Sequence, residues 1–579
     1  MMISRLYIKN FRSIGSDGLI IDFNTDLCAL VGKNNVGKSN ILIAIDYLLG
    51  GYWVNESRFS LEDFYQKNVE NDIGICAIFN EPLEHIEVID GWYEHSQKVY
   101  GFKLTYKTYK RDTDENKKGD LHLDYTCVNA KGEDIRLPTI APKKGSHKEF
   151  LSSFTKILKV TKKLKEKVEV VYIPVNRDIL KYSPSNSKSL LGTLIKGIRE
   201  RFKQDDHIFE VSKDFAEFLG VGETASRDEL FNAYMKKANE TLKTEELVQL
   251  SESLAKYVKE HLGSERTKDL KFDFKVQDEW AQFKYLDLTI LDNEVNLPVQ
   301  NLGHGFQSLI VISIFRTYLE LKGKHPIFLI EEPEMFLHTH AKKYFYSVLN
   351  QLGRKGNQII YTTHATEFVD MLYSQSVKRV ITQNNSTKIL PQKSIELDFN
   401  KDDLLKLNTA INNERAELFF AEKVILVEGD TEKIVFDYLL KLRGVNPNLN
   451  DISIIETSGK GNMPRYIKLL GSLEIPFVVV FDTDILDMTG DEEKDKKIDE
   501  NNRDARQKNQ NIEDSIPDKG LLFSNSPYFE VVAGMTSNMN NKKDSKPINA
   551  IEYFTQIGDY KEISKKLPQI TAPIEKILK

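Results

Sequence analysis

Gly32-Lys33-Asn34-Asn35-Val36-Gly37-Lys38-Ser39 is the stretch on which the fold turns. The apolar run Leu27 to Val31 precedes it and Ile41 to Leu49 follows, giving the strand, glycine loop and helix context of a nucleotide-binding P-loop. Gly32 and Gly37 let backbone N–H groups curl around phosphates, with Asn34 and Asn35 between them in the loop. The N-terminus of the following helix adds its positive dipole end. Lys38 is placed to reach the β and γ phosphates of ATP, and the Ser39 hydroxyl to ligate Mg²⁺.

Working outward, Ile327-Phe328-Leu329-Ile330 reads as a short buried strand that ends in Glu331-Glu332-Pro333-Glu334. Glu331 is expected to hold the magnesium together with Ser39, and Glu332 to orient or deprotonate the water that attacks the γ-phosphate. A further strand, Gln358 to Thr362, ends in Thr363-His364, where a histidine could touch the γ-phosphate. Asn301-Leu302-Gly303-His304-Gly305-Phe306-Gln307 opens an apolar helix from Ser308 to Leu319, and Gly303 and Gly305 at a helix N-terminus suit an anion.

In this order the segments resemble the ATP-binding-cassette ATPases of the RecF, SMC and OLD group, whose first strand the opening Ile8-Lys9-Asn10-Phe11-Arg12-Ser13 also matches. The resemblance implies that the signature loop of one subunit caps the ATP of another, so a homodimer or larger homo-oligomer is expected. Two departures stand out. Gly303-His304-Gly305 replaces the usual Ser-Gly-Gly type of signature, and Glu331 replaces an aspartate. Both bear on the rate of ATP hydrolysis rather than on ATP binding.

A second carboxylate set lies near the end of the chain. Lys423 to Val427 is an apolar strand that ends in Glu428-Gly429-Asp430-Thr431-Glu432, followed by a helix from Lys433 to Leu440. The strand Pro476 to Phe481 ends in Asp482-Thr483-Asp484. Glu428, Glu432, Asp482 and Asp484 offer oxygen donors suited to Mg²⁺ or Mn²⁺ and not to zinc. Such a cluster is costly without a cation, because like charges within a few Å raise one another's pKa. With two cations it can activate water and stabilise the leaving oxygen of a phosphodiester. The plainer alternative is a solvated acidic rim.

This set resembles the Toprim fold. By that resemblance Glu428 acts in acid or base chemistry, Glu432 is a second-metal ligand, and Asp482 and Asp484 form the metal-binding pair. Gly459, in Thr457-Ser458-Gly459-Lys460-Gly461, matches the glycine turn between the acidic motifs; Glu530 and Lys546 match later catalytic positions. An ATP-binding-cassette ATPase joined to a C-terminal Toprim domain is the layout of OLD-family nucleases, including the Gabija defence nuclease and retron-associated relatives. The resemblance implies an ATP-regulated, metal-dependent DNA endonuclease in anti-phage defence, with a helicase or reverse transcriptase as possible partner. A DNA-binding clamp whose Toprim domain only docks is the alternative.

Composition sets the outer limits. A length of 579 residues allows three to four structural units, and 3 cysteines exclude a Cys₄ zinc site and fit a reducing cytoplasm. No apolar run reaches the length of a membrane span, so a cytoplasmic protein with no membrane partner is expected. A net charge of -6 argues against a uniformly basic nucleic-acid binder. The basic and aromatic run Lys103 to Arg111 and the lysine-rich Lys156 to Lys167, read as helical, are better taken as solvated faces than as DNA contacts.

The expected organisation is α/β throughout. A first ATPase lobe spans 1–175, a helical dimerisation insert 176–270, a second lobe 271–400, a linker helix 401–420 and the Toprim domain 421–579. Within the last, Asp487 to Asp518 is charged and poor in apolar residues and reads as a mobile loop.

Overall fold

A computed structural model of the chain describes residues 1–89, 93–108, 120–141, 150–175, 207–241, 289–292, 295–298, 301–305, 325–369, 377–390, 415–535 and 546–579, with isolated residues between them. The chain divides into two compact units, one of residues 1–175 with 325–579 and the other of residues 176–324.

In the first unit the P-loop strand Leu27–Val31 is wholly buried, as its five apolar residues demand. It is the third member of a sheet that runs Ser386–Leu390, Val377–Gln383, Leu27–Val31, Gln358–Thr363, Ile327–Glu331, Val170–Ile173. All these pairs are parallel except that between Val377–Gln383 and Ser386–Leu390. Near-continuous apolar runs are what a parallel sheet covered on both faces requires. The helix Lys38–Leu49 covers one face, burying Ile41, Leu42, Ala44, Ile45, Leu48 and Leu49; each larger side chain contributes roughly 1.5–3 kcal/mol relative to exposure.

Beside this lies an antiparallel sheet of order Leu19–Asp22, Ile3–Lys9, Ile73–Ile89, Tyr93–Thr108, Leu121–Val128. The basic run on the Tyr93–Thr108 strand is spent internally: Lys103 pairs with Asp134 and Lys107 with Asp124, each at 3.0 Å, while Tyr106 is buried. Tyr109 to Arg111 lie outside the described residues. The helix expected from Lys156 to Lys167 is corrected. Phe150–Ile157 is a strand paired with Arg136–Ala141, and only Lys162–Lys165 is helical, because Leu158, Val160 and Leu164 turn into the core.

The C-terminal sheet is fully parallel, with order Ile452–Glu456, Lys423–Val427, Phe477–Asp482, Leu522–Asn525. Helices Asp430–Leu442, Lys546–Ile557, Tyr560–Lys566 and Pro568–Leu578 close a separate core around Val435, Phe436, Phe554, Ile563 and Ile574.

The expected mobile loop at Asp487 to Asp518 is also corrected, since Glu492–Ser515 is one helix. Asp491 caps it, its carboxylate accepting from the N–H groups of Glu493 and Lys494. Asn502, Ala505, Asn509 and Ile512 are buried at helical spacing, a stripe mostly of polar or small residues that an apolar count overlooks. Of the expected linker, Arg415–Phe419 is a 3₁₀ helix and most of residues 401–414 lie outside the described set.

In the second unit, the hairpin Ile208–Glu210 with Thr224–Ser226 accompanies helices Lys213–Leu219 and Arg227–Thr241. Residues 176–206 and most of 242–288 lie outside the described set. No helix among the described residues is long and apolar enough to cross a membrane.

Candidate functional site

Three strands of the first sheet end side by side, with Val31 opposite Thr363 and Thr362 opposite Glu331. Their C-terminal ends thus bring the P-loop, His364 and the Glu331-Glu332 pair to one edge, where ligands of parallel α/β sheets bind. The loop conformation demands glycine twice. Gly32 has φ 146° and a Cβ there would meet the Val380 carbonyl at 2.2 Å; Gly37 has φ 100° and a Cβ would meet Thr387 Oγ1 at 2.2 Å. Thr387 in turn donates to the Val36 carbonyl at 2.8 Å and lies 2.7 Å from Ser13 Oγ, which ties the loop to its neighbours.

Lys38 is buried, and its Nζ donates to the carbonyls of Gly32 (2.8 Å) and Lys33 (2.6 Å). Burial pulls its pKa down to about 8, opposed by the charges of Glu332 and Glu334. Asn34 and Asn35 are exposed at the loop tip, Asn35 in the left-handed region at φ 64°, and Ser39 is half-buried in the first helical turn. Glu331 is buried, its Oε2 accepting from the Val175 N–H at 3.2 Å. Glu332 stands at φ 40°, with its N–H donating to the Thr362 carbonyl at 3.0 Å.

His364 Nε2 lies 3.7 Å from Glu332 Oε1. That contact is too long to charge the ring against burial and the nearby Lys38 ammonium, which together lower the His364 pKa to about 4. The ring is therefore neutral at physiological pH. Glu334, given no role from the sequence, holds the His364 segment: its Oε1 accepts from Thr363 Oγ1 (2.9 Å) and from the N–H groups of His364 (2.6 Å) and Ala365 (3.2 Å). The third acid of Glu331-Glu332-Pro333-Glu334 was its only signal. Gly303 and Gly305 belong to the other compact unit, where the Gln307 N–H donates to the Gly303 carbonyl at 3.1 Å.

The C-terminal acids also sit at a topological switch. Lys423–Val427 lies between Ile452–Glu456 and Phe477–Asp482; the chain leaves Lys423–Val427 toward one side of the sheet and Phe477–Asp482 toward the other, the arrangement at whose strand ends ligands of such sheets bind. Glu428 follows that strand, and its Oε2 accepts from the Asp482 N–H at 3.4 Å. Glu432 is buried one turn along the next helix. Burial, then the charge of Asp482, raises the Glu432 pKa to about 8; burial raises that of Asp482 to about 7, with Glu428 and Glu530 adding to it. Burial also raises Glu428, against the lowering effect of Lys460.

Glu432 and Asp482 both feel the charges of Glu428 and Glu530, and Glu428 feels that of Asp484. Asp484, at φ 55°, is also held by the ammonium of buried Lys460. Lys546 Nζ lies 3.7 Å from Glu530 Oε1. Two further polar side chains escaped the sequence reading. Asn525 Nδ2 donates to Asp482 Oδ1 at 3.2 Å from the end of the adjacent strand, and Asn509 Nδ2 donates to the Thr483 carbonyl at 2.9 Å.

Among the described residues no three acidic, histidine or cysteine side chains stand ready-made for one ion. The fit to a divalent cation is one of donor chemistry: an all-oxygen set, partly buried, whose members push each other's pKa upward.

Residues 1–369 match the AAA ATPase domain family, and residues 419–484 the TOPRIM domain of overcoming lysogenization defect protein-like chains. The OLD nuclease of Thermus scotoductus is 27% identical, over 99% of this chain and all of that relative. The Old nuclease of Escherichia phage P2 is 25% identical over 83% of this chain and 76% of its own length. Endonuclease GajA of Bacillus cereus strain HuB5-5 is 27% identical over 40% of this chain and 36% of its own. These domain types imply use of a nucleotide and a divalent metal. With its P-loop sheet and, further along the same polypeptide, a segment matching an OLD-like TOPRIM domain at residues 419–484, the chain belongs to the AAA ATPase domain family.

Proposed function

We propose that this protein is a DNA endonuclease or nickase that hydrolyses phosphodiesters at the Toprim site with Mg²⁺ or Mn²⁺, under control of ATP bound at the P-loop, in anti-phage defence. The observation that carries this reading is the set Glu428, Glu432 and Asp482 at the switch point of a parallel sheet, with burial and mutual charge pushing two of them to about 8 and about 7. A docking surface has no use for so costly an arrangement. The chain's similarity to two OLD nucleases and an endonuclease supports this reading.

Glu428, Glu432, Asp482 and Asp484 would hold the cations, two at this site, which supply Lewis-acid stabilisation of the phosphoryl oxygens when bound. Glu428, with its raised pKa, is suited to take the proton of the attacking water. The bond from the Asn525 amide to Asp482 and that from the Asp482 N–H to Glu428 tie three neighbouring strand ends together. Glu530 and Lys546 form a second acid and base pair beside them. At the other site Lys38, Asn34, Asn35 and the loop N–H groups would hold the triphosphate, Ser39 and Glu331 its magnesium, and Glu332 the attacking water, with neutral His364 on the γ-phosphate. Gly303 and Gly305 of a second subunit would cap it, making the working form a homodimer or larger.

The test is cleavage of supercoiled plasmid and linear DNA with Mg²⁺ or Mn²⁺, with and without ATP, beside Glu428→Ala. Cutting that disappears in the variant is expected. Persistent cutting in Glu428→Ala would sink the site. No cutting under any condition, with ATP binding intact, would point to a docking role or to release by a partner such as a helicase or reverse transcriptase.

A further inference from the structure

The nucleotide loop touches the Toprim side of the chain through its own second residue. Lys33 Nζ lies 2.6 Å from Glu422 Oε1 and 2.5 Å from Asp451 Oδ2. The Lys33 carbonyl meanwhile accepts a hydrogen bond from Lys38 Nζ at 2.6 Å. One residue therefore contacts both the phosphate-binding lysine and two acids flanking the Toprim sheet.

Beside this contact is a cavity of about 550 Å³ whose walls include Gly32, Asn34 and His364 on the P-loop side and Glu417, Phe420 and Asp451 on the other. The rings of His364 and Phe420 stack with centroids 6.5 Å apart. A second contact between the same parts differs in kind. Arg379, buried on the strand next to the P-loop strand, donates to the carbonyls of Ala421 (2.9 Å) and Glu474 (3.3 Å). Those backbone acceptors carry no net charge, whereas Glu422 and Asp451 do.

We infer that Lys33 couples the two sites: the acids Glu422 and Asp451 and the phosphates of a nucleoside triphosphate compete for the cationic lip of one loop, so nucleotide binding and seating of the Toprim side on that loop oppose each other. The inference rests on the reading of the P-loop as an ATP site that governs the Toprim site. A triphosphate brings several negative charges toward a cavity wall that already presents Glu417 and Asp451, and it draws Lys38 away from the Lys33 carbonyl. The Arg379 guanidinium also feels the charges of Glu422 and Glu474, but its hydrogen bonds go to two backbone carbonyls and keep the parts joined while the Lys33 contact yields. Because binding linkage is reciprocal, the seated acids lower nucleotide affinity by the factor by which nucleotide weakens the seating.

The experiment is titration of the full chain with a fluorescent ATP analogue and Mg²⁺, for wild type and for Glu422→Gln/Asp451→Asn. Glu422 is exposed and Asp451 half-buried, so loss of their two ion pairs predicts roughly 2- to 30-fold tighter binding. The gap closes near 1 M salt, where screening acts over about 3 Å. Matched thermal midpoints confirm folding, and Lys38→Ala removes binding in both backgrounds. Where ATP alters DNA cutting, the double variant reaches half-effect at an ATP concentration lower by the same factor.

Equal or weaker affinity in the double variant, or a gap that ignores salt, overturns the coupling. An affinity gap with no DNA cutting under any condition leaves the coupling standing and removes the nuclease reading. Cutting that responds to ATP without an affinity gap does the reverse. Failure of the wild type to bind the analogue at all would overturn both the ATP site and the coupling.

Discussion

Glu432 concentrates the conflict between stability and chemistry in one side chain. Its folded pKa of about 8 lies above the ordinary carboxylate value because burial and the Asp482 charge disfavour ionisation. A raised acid contributes stability that is fully present below its unfolded pKa and is lost as pH rises through the folded value, here from pH 4.5 to about 8. In chelator, Glu432→Gln should therefore melt higher than wild type at pH 8, by roughly 1–3 kcal/mol, with the difference vanishing near pH 4.5. Mn²⁺ should raise the wild-type midpoint more at pH 8 than at pH 6 and move the variant little. A variant that melts lower than wild type at pH 8 would refute the electrostatic account.

His364 runs with the opposite sign. Its pKa is depressed to about 4, so its contribution is present above pH 6.5 and lost as pH falls through 4. His364→Gln should flatten the acid limb of a melting profile over that window and leave it unchanged above pH 7. Gly37→Ala should cost about 1–3 kcal/mol and remove ATP binding, since φ 100° and the 2.2 Å approach of Thr387 Oγ1 leave no room for a methyl group. Equal ATP affinity in that variant would show that the loop can shift away from Thr387.

At this scale the sequence was informative wherever function needs a fixed spacing. The P-loop and the acids Glu428, Glu432, Asp482 and Asp484 could be singled out because each sits one or a few residues past an apolar run. Lys460, Asn525 and Asn509 could not, because they reach the acids from elements whose adjacency only strand order decides.

Among the elements, the helix Glu492–Ser515 shows why composition misleads. Its first turn carries Glu492, Glu493 and Asp495, which suit the positive end of the helix dipole. Pairs Arg503–Asp499 and Lys508–Asp504 at i,i+4 spacing add a few tenths of a kcal/mol each. What anchors it is amide chemistry: Asn502 exchanges two 2.9 Å bonds with the backbone of Leu486, and Asn509 bonds the Thr483 carbonyl between Asp482 and Asp484. An apolar periodicity test finds nothing there. Asn509→Ala should leave the helix formed, by circular dichroism, yet slow DNA cutting by about tenfold or more by loosening the Asp482–Asp484 turn; unchanged cutting would mean that the turn holds itself.

Over the whole molecule, the two chemistries should separate by mutation. Lys38→Ala should abolish ATP binding and the response of cutting to ATP while metal-dependent cutting remains. Glu428→Ala should lower cutting by at least about 10²-fold, as expected for loss of a general base, and spare ATP binding. Loss of both activities in either variant would instead indicate a folding defect. The α/β class and the order of ATPase before Toprim were legible because each motif carries its strand and helix with it. The compact unit of residues 176–324 was harder to delimit from sequence, since its described part mixes short helices with a small hairpin and lacks a single period.

The place of Leu27–Val31 in its sheet has a consequence for biosynthesis. Its two ladder neighbours, Gln358–Thr363 and Val377–Gln383, leave the ribosome only after residues 176–324 have been made. At about 5–20 residues per second, the strand waits roughly 20–70 s with both edges open. For that interval the nascent chain carries every residue of the P-loop motif and no sheet to hold it, an exposed template of the kind chaperones shield.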